Sequence, residues 1–161
     1  MSNLQESLNP NKEDIKEQLF GLVKLHLQTR EQTILNAIQR VEGSLKNETK
    51  SSAGDKHETG RAMLQLEREK LGLQLNNVQL DLTLLGRISL HEATNSVKMG
   101  SVVFTSQLNY FLSVGIGELT IDGDKFYSIS PNSPIGQQLV SRKVGDEIVF
   151  RNHKIKILKI I

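Results

Sequence analysis

The leucines of residues 64–85 constrain the fold most. Leu64, Leu71, Leu75, Val78, Leu82 and Leu85 share one heptad seam, and Leu66, Leu73 and Leu80 broaden it. Such a seam belongs to a helix that buries one side against another helix. The upstream segment supplies a candidate partner. No proline interrupts Lys12 to Lys50, and Ile15, Leu19, Leu22, Ile34, Ile38, Val41 and Leu45 recur at helical spacing in two blocks. Between the blocks His26, Arg30 and Thr33 weaken the seam, and Gly21 and Gly43 weaken continuity. A helix over this stretch would run roughly 57 Å at ~1.5 Å per residue. Lys46–Ala53 is polar and reads as a turn. The expectation is a loose lead-in over 1–11, then an antiparallel helical hairpin over 12–86 with its tip near 46–60.

The pattern changes after Gly86. Arg87–Ser96 is mixed and reads as a linker, and from Val97 the helical period fails. Val102–Phe104, Tyr110–Val114, Glu118–Ile121, Phe126–Ile129, Glu147–Phe150 and Lys154–Ile160 are strand candidates. Asp122-Gly123-Asp124 and Arg151-Asn152-His153 read as hairpin turns. Ser133-Pro134 opens a short helix, with serine as its cap and proline in its first position. Residues 97–161 are therefore expected to form a small antiparallel sheet with one short helix, which makes the whole chain α+β.

Several functional classes are set aside by composition. Aromatic residues are 4% of the chain and tryptophan is absent, so a large aromatic-lined enzyme pocket is not expected. Cysteine is absent, which removes disulfide and thiolate chemistry. A formal net charge of +2 is too balanced to predict broad nucleic-acid binding. No leader pattern or bilayer-length apolar run is visible, so a cytoplasmic location without a membrane partner is expected. The histidines His26, His57, His91 and His153 lack zinc-ligand spacing. Gly115-Ile116-Gly117 lacks the third glycine and the lysine of a phosphate cradle.

The chemistry concentrates at the hairpin turn. Asp55 and Glu58 stand three residues apart in Gly54-Asp55-Lys56-His57-Glu58. An acid followed three residues later by glutamate is also a helix capping box, and one carboxylate can cap while leaving an oxygen outward. Two hard oxygen donors can help hold Mg²⁺, an ion that takes its remaining ligands elsewhere. Lys46, Lys50, Lys56 and Arg61 surround the acids. They read either as a solvated helix end or as contacts to phosphates or to an acidic protein channel.

In this order the motifs resemble the bacterial transcript-cleavage factors of the Gre family. The resemblance rests on Gly54-Asp55-x-x-Glu58 at the tip and on Val97-x-Met99-Gly100-Ser101-Val102-Val103. It rests most on Ile129-Ser130-Pro131-Asn132-Ser133-Pro134-Ile135-Gly136, continuing through Leu139 to Lys143-Val144-Gly145-Asp146-Glu147-Ile148. It implies a coiled coil followed by an FKBP-like domain, and bacterial RNA polymerase as partner. The coiled coil would enter the polymerase's secondary channel. Asp55 and Glu58 match the acids that share Mg²⁺ with the polymerase and promote cleavage at the 3′ end of backtracked nascent RNA. Ser133 and Pro134 match the loop that docks on the channel rim, and Asn132, assigned to the same contact, stands where part of the family carries an acid. The chain itself would be no enzyme and would take no small-molecule substrate. Where the family continues with an Asn-Ala-acid-Tyr run, this chain has Thr59-Gly60-Arg61-Ala62.

Two rival readings follow from the same residues. One is a secondary-channel regulator that inhibits or tunes the polymerase without cleavage. The other is a coiled-coil adaptor whose extra leucines, Leu66, Leu73 and Leu80, pair with a different protein. Prolyl isomerisation follows only from the C-terminal fold class and finds few aromatics for a proline pocket.

Overall fold

A computed structural model describes residues 11–50, 54–92 and 94–161, with the side chains of 11–14, 49–50 and 54–57 left out. The described elements are helices α1 (Asn11–Lys50) and α2 (Gly54–Gly86), strands β1 (Val102–Thr105), β2 (Asn109–Leu112), β3 (Gly117–Ile121) and β4 (Asp124–Ile129), the short helix α3 (Pro134–Leu139), and strands β5 (Glu147–Phe150) and β6 (His153–Ile160). The helix-then-sheet order is the expected α+β class. Contacts divide the chain into two compact units, residues 26–83 and residues 1–25 with 84–161.

The first unit is an antiparallel helical pair. Arg68 Nε donates to Glu42 Oε1 at 3.0 Å, and Gln79 Nε2 donates to Glu31 Oε1 at 3.2 Å. Each pair is symmetric about position 55, which sets the register of the hairpin. Leu27, Ile34, Ile38 and Val41 of α1 and Val78 of α2 are buried along the seam, with Leu64, Leu71, Leu75 and Leu82 half-buried. Between Leu27 and Ile34 the seam carries a polar layer, half-buried Glu31 with its Gln79 partner. The seam is thus continuous where the sequence suggested a gap. His26 and Arg30 simply face outward.

Leu22 corrects the sequence reading. It is 37% exposed, whereas Val23 is fully buried. From Leu19 a step of three or of four is equally helical, and only the continuation to Leu27 selects Val23.

In the other unit six strands form one sheet in the order β3-β4-β2-β1-β6-β5. Pairings β1–β2, β1–β6, β3–β4 and β5–β6 are antiparallel as expected. The β2–β4 pairing is parallel, so the sheet is mixed and not purely antiparallel. The cause is a skipped position. After Leu112 the chain passes over one strand width to lay β3 at the edge. The tight turn after Ile121 then brings β4 back into the vacant place beside β2. Asp122 and Gly123, at φ 51° and 86°, form that two-residue turn, whose left-handed backbone matches strand twist.

Strand position explains the sequence pattern. β1 and β2 lie inside the sheet and are buried on both faces, hence the uninterrupted Val102-Val103 and Tyr110-Phe111-Leu112. β5 and β6, at one side, alternate buried and exposed positions. On one face Val103, Leu112, Ile148, Ile155 and Ile157 pack with Ile135 and Leu139 of α3. On the other, Phe104 and Phe126 meet edge to face with centroids 5.9 Å apart. Ser113 and Ser128 are buried where β2 and β4 end. Ser113 Oγ lies 2.7 Å from Ser128 Oγ, and Ser128 Oγ donates to the Val114 carbonyl at 2.6 Å.

One buried charge stands out. Lys16 is 6% exposed. Burial holds its ammonium below the usual lysine range, Lys98 adds to the effect, and Glu92 opposes it. Glu92 is itself bound to Lys98 at 2.9 Å, so two cations share one carboxylate. A lysine whose folded pKa is depressed carries a penalty at neutral pH, relieved as pH rises toward the ordinary 10.5. Lys16→Met is therefore expected to stabilise the protein at pH 7. Denaturation midpoints should show this advantage shrinking as pH approaches 10.5.

Candidate functional site

The tip begins where α1 ends at Lys50 and α2 starts at Gly54. Residues 51–53 lie outside the description. Gly54 is already helical, so Asp55 falls within the first turn of α2 and not at its cap. Glu58 follows one turn later. Residues three apart on a helix are neighbours on one face. Acids there also suit the positive end of the helix dipole. Glu58 is exposed, as is Arg61, a further three residues along. The side chains of Lys50, Asp55 and Lys56 lie outside the description. Among the described residues no group of three or more histidines, cysteines, aspartates or glutamates is arranged to hold a metal. Carboxylates are the hard oxygen donors that Mg²⁺ takes, and the ion needs six ligands in all.

The second sequence-predicted site, Asn132-Ser133-Pro134, is a braced loop. Ser133 caps α3: its Oγ accepts from the Gly136 amide at 3.1 Å and donates to the Ser130 carbonyl at 2.6 Å. Its amide bonds the same carbonyl at 3.0 Å. The Asn132 amide donates to Ser130 Oγ at 3.1 Å, and Gln137 Nε2 donates to the Asn132 carbonyl at 3.2 Å. Gly136 is buried beneath the loop, and an added Cβ there would collide with the Ser130 carbonyl oxygen. The single hydroxyl proton of Ser133 is thus used internally. Exposed Asn132 and Pro134 are the side chains presented outward. Ser130 and Gly136 were visible in the motif, but their bracing role depends on a backbone approach that no local pattern spells out.

Near the sheet edge Glu118 accepts from Tyr127 at 3.0 Å and pairs with Lys125 at 3.2 Å. Hydrogen bonding from Lys125 and Tyr127 holds the Glu118 carboxyl below the usual range, and the bond to Glu118 holds the Tyr127 phenol above its own. This exposed cluster was not anticipated. Its cross-strand pairing Glu118↔Tyr127 is the register that creates it. No helix among the described residues is long and apolar enough to cross a membrane.

Residues 92–161 match the family model described as the C-terminal domain of the transcription elongation factors GreA/GreB. A solved structure described as that of the transcription factor Gfh1 shares 17% identity, covering 85% of this chain and 92% of that one, with a TM-score of 0.34. No curated protein matches the chain. Residues 92–161 thus resemble the C-terminal domain of the transcription elongation factors GreA/GreB, and the match covers that part of the chain alone.

Proposed function

We propose that this chain acts on bacterial RNA polymerase, entering the secondary channel with its helical hairpin and promoting cleavage of backtracked RNA. The observation that carries the reading is the C-terminal family match, joined to a hairpin register centred on position 55. That register supports a tip at which Asp55 and Glu58 meet the nascent RNA 3′ end. Cleavage of a phosphodiester with two metals needs one ion to activate water and one to stabilise the leaving oxygen. Asp55 and Glu58 would contribute carboxylate oxygens to the second Mg²⁺ jointly with the polymerase, and would orient the attacking water by accepting its hydrogen bonds. Lys50, Lys56 and Arg61 would contact phosphates or the channel wall. The outward Asn132 and Pro134, on the brace formed by Ser133, would meet the channel rim. The chain would then be a cytoplasmic accessory factor that lends groups to another enzyme's site.

The experiment is direct. A polymerase complex stalled in the backtracked state is incubated with Mg²⁺, with and without the chain, and RNA length is followed. Accelerated release of short 3′ fragments is the expected result. One observation favours a second reading: exposed Arg61 stands where the family has an acid. A cation near the pair competes with the metal for the same oxygens. A regulator that occupies the channel without cleavage would bind the polymerase and leave RNA length unchanged.

A further inference from the structure

Helix α2 carries a second apolar stripe, outside the seam that faces α1. Leu66 and Leu73 are each 66% exposed, Leu80 is 58% exposed and Met63 is 67% exposed. The three leucines recur every seven residues over about 21 Å of helix at ~1.5 Å per residue. Scattered exposed leucines need no explanation, but a periodic row is the pattern of coiled-coil core positions. Lys70 and Asn77, both exposed, fall between the leucines, where such seams place the polar residues that choose a partner.

The same stretch contains an open groove of about 510 Å³, lined by Arg68, Glu69, Gly72, Leu73, Leu75 and Asn76. Gly72 has no side chain, and the Arg68 guanidinium, held to Glu42 at 3.0 Å, lies against it, so that a Cβ on Gly72 would come within 3.3 Å of Arg68 Nη1. The groove opens beside Leu73, with Arg68, Glu69 and Asn76 supplying its polar wall.

Charge selects the occupant. The positions flanking the stripe hold Glu67, Glu69 and Asp81 together with uncharged Gln74, Asn76 and Thr83. Asp81 is half-buried near Arg30, while Glu67 and Glu69 are exposed. A second copy fits poorly. In parallel it sets Lys70 against Lys70, and in antiparallel about Leu73 it sets Glu67 against Asp81 twice. We propose that this face of α2 docks an amphipathic helix of another protein, with apolar residues seven apart, basic flanks, and an acid opposite Lys70.

The test uses two synthetic helical peptides of identical leucine spacing, one flanked by lysine and arginine, the other by glutamate. Each is titrated against the full chain by fluorescence anisotropy, with sedimentation recording the oligomeric state. The basic peptide is expected to bind at least tenfold more tightly than the acidic one. Leu73→Asp, with helicity checked by circular dichroism, is expected to weaken the basic peptide at least tenfold. That variant adds negative charge, so attraction by charge alone predicts tighter binding. Equal binding of both peptides, binding of neither, or a wild-type dimer that Leu73→Asp dissolves would each overturn the proposal.

Discussion

Gly136→Val is expected to cost the C-terminal unit at least about 3 kcal/mol. At this position the obstacle is backbone: a Cβ meets the Ser130 carbonyl, with Ser133 Oγ at 2.9 Å and the Pro131 carbonyl carbon at 3.0 Å. A flexible side chain could move aside, but this loop is held by the Ser133 cap and by the bonds from the Asn132 amide and the Gln137 side chain. Relief would require lifting α3, which would take Ile135 and Leu139 out of the core. Ser133→Ala removes the cap and should cost about 1–2 kcal/mol. Asn132→Ala should stay within about 0.5 kcal/mol, because that side chain is exposed. Hydrogen exchange on the full chain reads all three, with protection lost across β1–β6 in the valine variant. A valine variant as stable as the parent would mean that the brace gives way freely.

The pair Asp55→Asn and Glu58→Gln is expected to slow RNA shortening on a backtracked complex by roughly 100-fold, while polymerase binding persists. Positioned charge on a metal-assisted transition state is worth several kcal/mol, and about 3 kcal/mol is already a factor near 100. The amides keep size and shape but remove the negative charge that would hold a shared Mg²⁺. Loss of two acids near a helix start costs only about 0.3–1 kcal/mol each, so the hairpin should survive. Helicity and polymerase copurification separate this outcome from simple unfolding. Unchanged shortening in the double variant would remove both residues from the mechanism.

Much of this fold is legible in the sequence because its determinants are local. The leucine heptads of α2, the left-handed Asp122-Gly123 turn and the Ser133-Pro134 helix start each depend on a few neighbouring residues. The choice between Leu22 and Val23 was not legible, since both sit at helical spacing from Leu19. The parallel β2–β4 pairing was not legible either. Strand order is set by which faces bury together, and Tyr110-Phe111-Leu112 reads the same beside any neighbour. Ser113 and Ser128 look like loop residues until that pairing brings their hydroxyls together. The acid pair at the tip was visible from spacing alone, but the chemistry it supports depends on groups that another molecule supplies.

In the proposed mechanism position 58, at the start of α2, works beside the 3′ end of RNA inside the polymerase. A photo-crosslinker at that position, in a backtracked complex carrying end-labelled RNA, tests it most directly. A crosslink to the RNA 3′ end or to the polymerase segment that holds the catalytic metal is expected, and none from the same probe at position 73. Crosslinks confined to the polymerase exterior, or equal labelling from both positions, would contradict it.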